Sequence, residues 1–204
     1  MTKLFVISAP SGAGKTSLIN SLLEQSNNNL KLGISCTTRS RRKNEIEGKS
    51  YFFLDSEEFS KKIKKDEFLE YAEVFGNHYG TPKEWIISKL NQGLNVILEL
   101  DWQGAKQVKD SYPDTSTVFI LPPSYSHLQD RLKERGQDSS EEIKKRIGEA
   151  KKEILQGSTS DHLIVNDKFE DALHDLIQLI LEEEELSLHR IEAAKNCINH
   201  LLAE

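Results

Sequence analysis

Leu4, Phe5, Val6 and Ile7 form an unbroken apolar run between Lys3 and Ser8, the pattern of a strand buried on both faces. The turn APSGAGKT at 9–16 follows at once. Leu18, Ile19, Leu22 and Leu23 then share one helical face until the Asn27-Asn28-Asn29 cluster. Strand, glycine turn and helix in that order open a βαβ unit. From 30 to 81 the texture changes, and LKLGISCTTRSRRKNEIEGKSYFFL reads as strand, basic loop and strand. Asp55 stands three residues before Glu58, the spacing of a capping box, and predicts a short helix over SEEFSKKIKK. In EFLEYAEVFG, Phe68, Glu70, Ala72 and Val74 alternate with Leu69, Tyr71, Glu73 and Phe75, the two-residue period of a strand. This stretch predicts a small α+β lobe inserted into a parallel architecture.

Beyond it, Trp85, Ile86, Ile87 and Leu90 predict a helix over 83–93 ended by Gly93, and NVILELD at 95–101 a buried strand with carboxylates at its C-terminal end. A helix carrying Ala105 and Val108 and a strand TVFIL at 117–121 follow, with Pro122-Pro123 marking a hinge. The polar, Arg-rich stretch 125–147 is helical but interrupted at RGQDSS. HLIVND at 162–167 is a last strand and FEDALHDLIQLIL a packing helix. After the acidic run 182–185, Leu188, Ile191, Ala194, Ile198 and Leu201 make the tail over 187–202 amphipathic, suited to docking on its own core or on another subunit.

At 204 residues the chain is long enough for one α/β domain with inserted lobes and a substantial core. Acidic side chains outnumber basic ones by 33 to 27, which argues against a protein that coats nucleic acid while leaving room for a local basic cleft. No stretch approaches the ~18 consecutive apolar residues of a membrane span. The start MTKLFVISAPSG has neither the apolar run nor the cleavage site of a secretory signal. Two cysteines, Cys36 and Cys197, cannot build a disulfide framework and suit a reducing, cytoplasmic setting.

APSGAGKT matches the phosphate-loop pattern G-x-x-x-x-G-K-[ST] except at its first position, where Ala9 replaces glycine. Gly12 and Gly14 let backbone N–H groups converge on phosphate oxygens, and the helix N-terminus adds its dipole. Lys15 then sets an ammonium at the β- and γ-phosphates, and the Thr16 hydroxyl is a ligand for Mg²⁺. A chance glycine turn is the bland alternative, and it leaves Lys15 unexplained.

TTRSRRKNEIEGK at 37–49 sets Arg39, Arg41, Arg42, Lys43 and Lys49 against Glu45 and Glu47. Arginine forks with the hydroxyls of Tyr51 and Tyr79 suit a terminal phosphate dianion, and a solvated face with surface ion pairs suits the same composition. A Glu70 turned into a nucleotide cleft accepts from guanine N1–H and the N2 amino group together, with Ser35 or Thr81 donating to O6. A Glu70 on the outer face of an edge strand does none of this. Spacing leaves the choice open.

Taken together, SAPSGAGKTSL, SCTTRSRR with EGKSYFF, EFLEYAEVFGNHYGT, LELDWQGA, and RLKERG with KKRI resemble the ordered motifs of the guanylate kinases, in the nucleoside monophosphate kinase group, over residues 3–182. The resemblance implies a P-loop three-layer α/β/α fold with a parallel central sheet, an inserted small α+β GMP-binding lobe and a helical lid. It divides the chain into core (1–32), GMP-binding lobe (33–81), core (82–124), lid (125–147), core (148–185) and a C-terminal helical extension (186–204). It implies transfer of the ATP γ-phosphoryl group to GMP, and also to dGMP, with Mg²⁺ as cofactor.

Carried over by position, Ala9, Pro10, Ser11, Gly12, Ala13, Gly14, Lys15 and Thr16 bind ATP. Ser35, Glu70 and Thr81 contact guanine, Arg39, Arg42, Tyr51 and Tyr79 hold the GMP phosphate, and Asp101 completes that set. Lys15, Arg39, Arg42, Arg131, Arg135 and Arg146 form the catalytic set, and Thr16 holds Mg²⁺ with Glu99 or Asp101 reaching it through water. The implied partners are ATP, ADP, GMP and GDP, with no nucleic acid and no membrane, in a monomer or homodimer. Arg41 stands where the family often has proline, and the helix after Leu186 lies beyond the family's usual end. The rivals are a non-catalytic protein-binding module of the same fold and a P-loop phosphotransferase for another monophosphate. The six histidines show no ligand spacing, and Cys36, without a neighbouring histidine, reads as a packing residue.

Overall fold

The computed structural model describes residues 2–74, 76–136 and 138–204. Phe75, expected in the alternating strand, and Gln137, within the RGQDSS break, lie outside the described residues. In chain order the elements are β1 (Leu4–Ser8), α1 (Lys15–Gln25), β2 (Leu30–Leu32), β3 (Cys36–Thr37), β4 (Phe52–Phe53), α2 (Ser56–Lys64), β5 (Phe68–Val74), β6 (Asn77–Pro82), α3 (Lys83–Asn91), β7 (Asn95–Glu99), α4 (Trp102–Ser111), β8 (Ser116–Leu121), α5 (Tyr125–Arg135), α6 (Ser140–Gly157), β9 (His162–Val165), α7 (Phe169–Ile180) and α8 (Leu188–Ala203). The fold is α/β. A five-stranded sheet in the order β2–β7–β1–β8–β9 is its centre, and the β2–β7 and β8–β9 pairs run parallel. The apolar run of β1 is buried throughout, as a strand covered on both faces requires.

Two departures from the sequence pattern have local causes. The segment LKLGISCT is not one strand, because β2 pairs with β7 whereas β3 pairs with β4 and β6 in a second sheet. Gly33 still donates to the Ile97 carbonyl at 2.8 Å, so the chain changes sheets between there and Cys36. Downstream, α6 does not stop near 147. It runs unbroken from a Ser139–Glu142 capping box to Gly157.

The chain forms two compact units. One comprises the residues up to Val6 with Asn29–Thr115. Its core gathers Leu4, Val6, Leu69, Ile86, Val96 and Leu98, and a second cluster packs Phe59 on Phe68 with ring centroids 4.6 Å apart. The four-stranded sheet, in the order β4–β3–β6–β5, belongs to this unit, as does α2 with the expected Asp55–Glu58 capping box. The other unit comprises Ile7–Asn28 and Ser116–Glu204. Here the tail helix α8 docks on its own unit. Ile198 and Leu201 join Phe119, Leu121 and Ile154 in one buried cluster, and Leu188 stays outside at 78% exposure. Arg190 anchors α8 by donating from Nε and a terminal nitrogen to the buried Asp175 carboxylate on α7.

Candidate functional site

In the second unit, the loop between β1 and α1 has the shape its glycines permit. Gly12 and Gly14 sit at φ +94° and +92°, left-handed conformations that side chains with a Cβ resist. Gly14 is also the N-cap of α1. It offers no side chain to the first turn, which holds no acidic residue either. That end of α1 therefore lacks a side-chain cap, the arrangement that suits a helix N-terminus to an anion. Ala13 is buried and its N–H donates to the Pro10 carbonyl at 3.1 Å, closing the turn.

Three side chains from distant sequence hold this loop. Asn166, just after β9, donates its Nδ2 to the Ala13 carbonyl at 2.7 Å. Arg131 on α5 donates to the Asn166 carbonyl at 2.8 Å and reaches the Ala13 carbonyl at 3.5 Å. Arg146 on α6 donates to Ser11 Oγ at 2.6 Å and pairs with Asp138 at 3.2 Å. Two of the three arginines expected at the transferring group thus already touch the phosphate loop. Arg135, the third, is exposed at the C-terminal end of α5. Asn166 and Asp138 were missed in the sequence. Asn166 sits where a parallel strand ends, the usual position for ligand-facing groups in such sheets, and that was the available signal.

In the first unit, β5 and β6 place Glu70 and Thr81 in register. Glu70 is 3% exposed, so it does not lie on a solvent face. Thr81 donates to Glu70 Oε1 at 2.6 Å and so has no proton left for Ser35, 3.2 Å away, which must donate to Thr81. Burial pushes the Glu70 carboxyl up to about 7, with the Thr81 bond opposing the shift and the Asp101 charge adding to it. Nearby, the Arg39 guanidinium lies 5.5 Å from the centre of the Tyr51 ring, which meets Tyr79 edge-on. Burial pushes the Tyr51 phenol up to about 12, so it remains a neutral donor.

Glu45, read in the sequence only as a counter-charge, joins the arginine loop together. One oxygen accepts from Arg39 at 2.6 Å and the other from the Arg42 backbone N–H at 2.8 Å. Burial disfavours both charges of the Arg39–Glu45 pair. Their mutual bond outweighs it only together with Tyr79 beside Arg39 and the Arg42 N–H on Glu45, and the sum raises the arginine and lowers the carboxyl. Arg41 and Arg42 are exposed.

Asp101 is the N-cap of α4, with Oδ1 accepting from Gly104 N–H at 2.9 Å and Oδ2 from the Gln103 side chain at 3.1 Å. Thr16 lies in the first turn of α1, and its single hard oxygen suits Mg²⁺, which keeps most of its water and takes further ligands from substrate phosphates. Among the described residues no group of three or more His, Cys, Asp and Glu is arranged to hold a metal. Burial pushes the Cys36 thiol up to about 11, which removes it as a nucleophile at neutral pH.

The protein-family model of guanylate kinase matches residues 1–184. The chain belongs to the guanylate kinase family. A guanylate kinase from Vibrio cholerae is 51% identical over 181 residues, 88% of this chain and 87% of that one. One from Vibrio parahaemolyticus is 48% identical over 203 residues, 98% of both. That alignment extends over α8, which the family match over residues 1–184 does not include. The crystal structure of a guanylate kinase from Anaplasma phagocytophilum superposes with a TM-score of 0.74 at 35% identity, covering 93% of this chain and 89% of that one.

Proposed function

We infer that the chain is an ATP:GMP phosphotransferase, moving the γ-phosphoryl group of ATP to GMP to give ADP and GDP, within purine nucleotide metabolism. The observation that carries the choice of base is the buried Glu70, one oxygen tied by Thr81 and Ser35 hydrogen-bonded behind it. An ionised carboxylate there accepts from guanine N1–H and N2 together, whereas adenine presents a lone pair at N1. Mismatches strand buried polar groups, and sites of this kind discriminate strongly.

In this reading Arg39, Arg42, Tyr51 and Tyr79 hold the GMP phosphate. Glu45 ties the Arg39 guanidinium to the Arg42 backbone N–H, which keeps Arg39 preset for that phosphate. A phosphate monoester has a second pKa of about 6 and is mostly dianionic at neutral pH, so no base is required. The obstacle is repulsion between two polyanions. Lys15, Arg131, Arg135 and Arg146 supply counter-charge to the transferring group, and the bonds from Arg131 and Arg146 to the phosphate loop support the role of those two. Ala9 to Thr16 cradle the ATP phosphates. Thr16 would hold the Mg²⁺ that accompanies ATP, and the ion would supply further counter-charge to the phosphates. Asp101, and Glu99 beside it, serve as orienting carboxylates.

Residues 33–81 act as the GMP-binding lobe and 125–147 as a lid that excludes water, the competing acceptor. dGMP is accepted as well, since none of the groups assigned to GMP requires a 2′-hydroxyl. Two free cysteines support a cytoplasmic setting, and α8, docked within its own unit, supports a monomer or a homodimer formed through another face. The test offers GMP, dGMP, AMP, CMP and UMP with MgATP in a coupled assay. GMP turnover is expected. Preference for AMP overturns the base assignment, and turnover of none overturns the enzyme.

A further inference from the structure

Glu70 has to be held at one depth and one angle if its two oxygens are to meet two donors of a purine edge, and helix α4 holds it. Asp101, Gly104 and Gln107 recur at intervals of three and so share one face of that helix. The Asp101 cap fixes the start of α4 by accepting from Gly104 N–H. Gly104 is buried, and a Cβ placed on it stands 2.8 Å from Glu70 Oε2 and 3.3 Å from both the Glu70 carboxyl carbon and Leu100 Cβ. The bare Cα at 104 is thus the floor beneath the oxygen that Thr81 does not bind.

Gln107 works one turn later. Its Oε1 accepts from Tyr71 N–H at 3.2 Å and its Nε2 donates to the Tyr71 carbonyl at 2.8 Å. β5 is the outer strand of its sheet, and its register shifts between Phe68 and Glu70. The Gln107 amide therefore pairs with the open edge as a neighbouring strand would, one residue beyond Glu70 and just after the irregularity. Glycine is a weaker helix former than alanine, so helical preference does not explain Gly104 in the first turn of α4, whereas the closeness of Glu70 does.

We propose that Gly104 and Gln107 are the positioning residues that set base specificity, Gly104 by fixing the depth of the Glu70 carboxylate and Gln107 by fixing the strand that aims it. The inference rests on the reading of Glu70 as the group that reads guanine. With Thr81 in place, a methyl at 104 is relieved by displacing the carboxylate, the mobile end of the contact.

Steady-state kinetics of the full chain with MgATP, using GMP and AMP as acceptors, tests this on Gly104→Ala and Gln107→Met. Gly104→Ala should raise the GMP KM by about 10- to 100-fold, the value of one or two misaligned hydrogen bonds. Its ATP KM should stay put, kcat at saturating GMP should be retained, and the preference for GMP over AMP should narrow. Gln107→Met keeps the length and loses both bonds, and should move the GMP KM the same way by about 3- to 10-fold. A merely structural role would raise both KM values together and lower the melting temperature. Variants that keep the wild-type GMP KM and the wild-type preference overturn the positioning inference alone. A wild-type chain that fails to phosphorylate GMP overturns the function beneath it. Should Gly104→Ala fail to fold, the Gln107→Met result decides.

Discussion

Glu70 is expensive to bury in its ionised form, and this predicts how the stability of the protein depends on pH. Its carboxyl is raised from 4.5 to about 7, so between those values the folded chain binds the proton that the unfolded chain has lost. Stability from this group is fully present below pH 4.5 and is lost as pH rises through 7. The melting temperature of wild type minus that of Glu70→Gln should therefore fall steadily across this window, and a flat difference would contradict it. If Glu70 reads guanine as proposed, it does so ionised, so kcat/KM for GMP should drop below pH 7, and more steeply than that for AMP. In the proposed mechanism, Lys15→Met removes counter-charge that matters most in the transition state. A fall in kcat of about 10²–10³ with a modest change in GMP KM is expected from a coupled assay on folded protein.

Helices α2 and α6 both start with reciprocal capping boxes, Asp55 with Glu58 and Ser139 with Glu142. Ser139→Ala should destabilise by about 1 kcal/mol, read by urea denaturation. It also lies next to Asp138, which pairs with Arg146, so the same variant should lower kcat by loosening the aim of that arginine. At the other end of the chain, Arg190 is the partner of a carboxylate that is 4% exposed. Arg190→Leu leaves Asp175 buried and unpaired and should cost about 3–5 kcal/mol, far more than a surface ion pair. The Asp55–Glu58 cap was read from its three-residue spacing, whereas the Ser139–Glu142 cap, with the same spacing, went unread at the RGQDSS break. The α7–α8 pair was not legible, since nothing near Asp175 in the sequence marks it as buried.

For the molecule as a whole, α8 is part of the fold rather than an appendage. A chain ending at Leu186 exposes Phe119, Leu121 and Ile154, so it should melt at lower temperature and aggregate, as light scattering on heating would show. Its solution mass, measured before heating, should match the full chain's oligomeric state, because the apolar stripe of α8 is spent inside its own unit. The proposed ATP-binding residues fall in one compact unit and the proposed GMP-binding residues in the other.

The sequence alone determined what rests on neighbours along the chain. The phosphate loop, the Asp55–Glu58 capping box, the buried strand β1 and the amphipathic tail are all written in runs or short periods, because backbone geometry repeats over a few residues. Tertiary structure alone decided the groups that act across long separations. Asn166 reaches Ala13 across 153 residues, and Gln107 braces Tyr71 across 36. Glu70 and Gly104 carry no local sign of their contact, and whether a carboxylate in an alternating strand faces water or the interior is a matter of which sheet edge and which helix meet it. Hydrogen bonds and close packing at such distances depend on where the folded backbone returns, and no periodicity along the chain encodes that return.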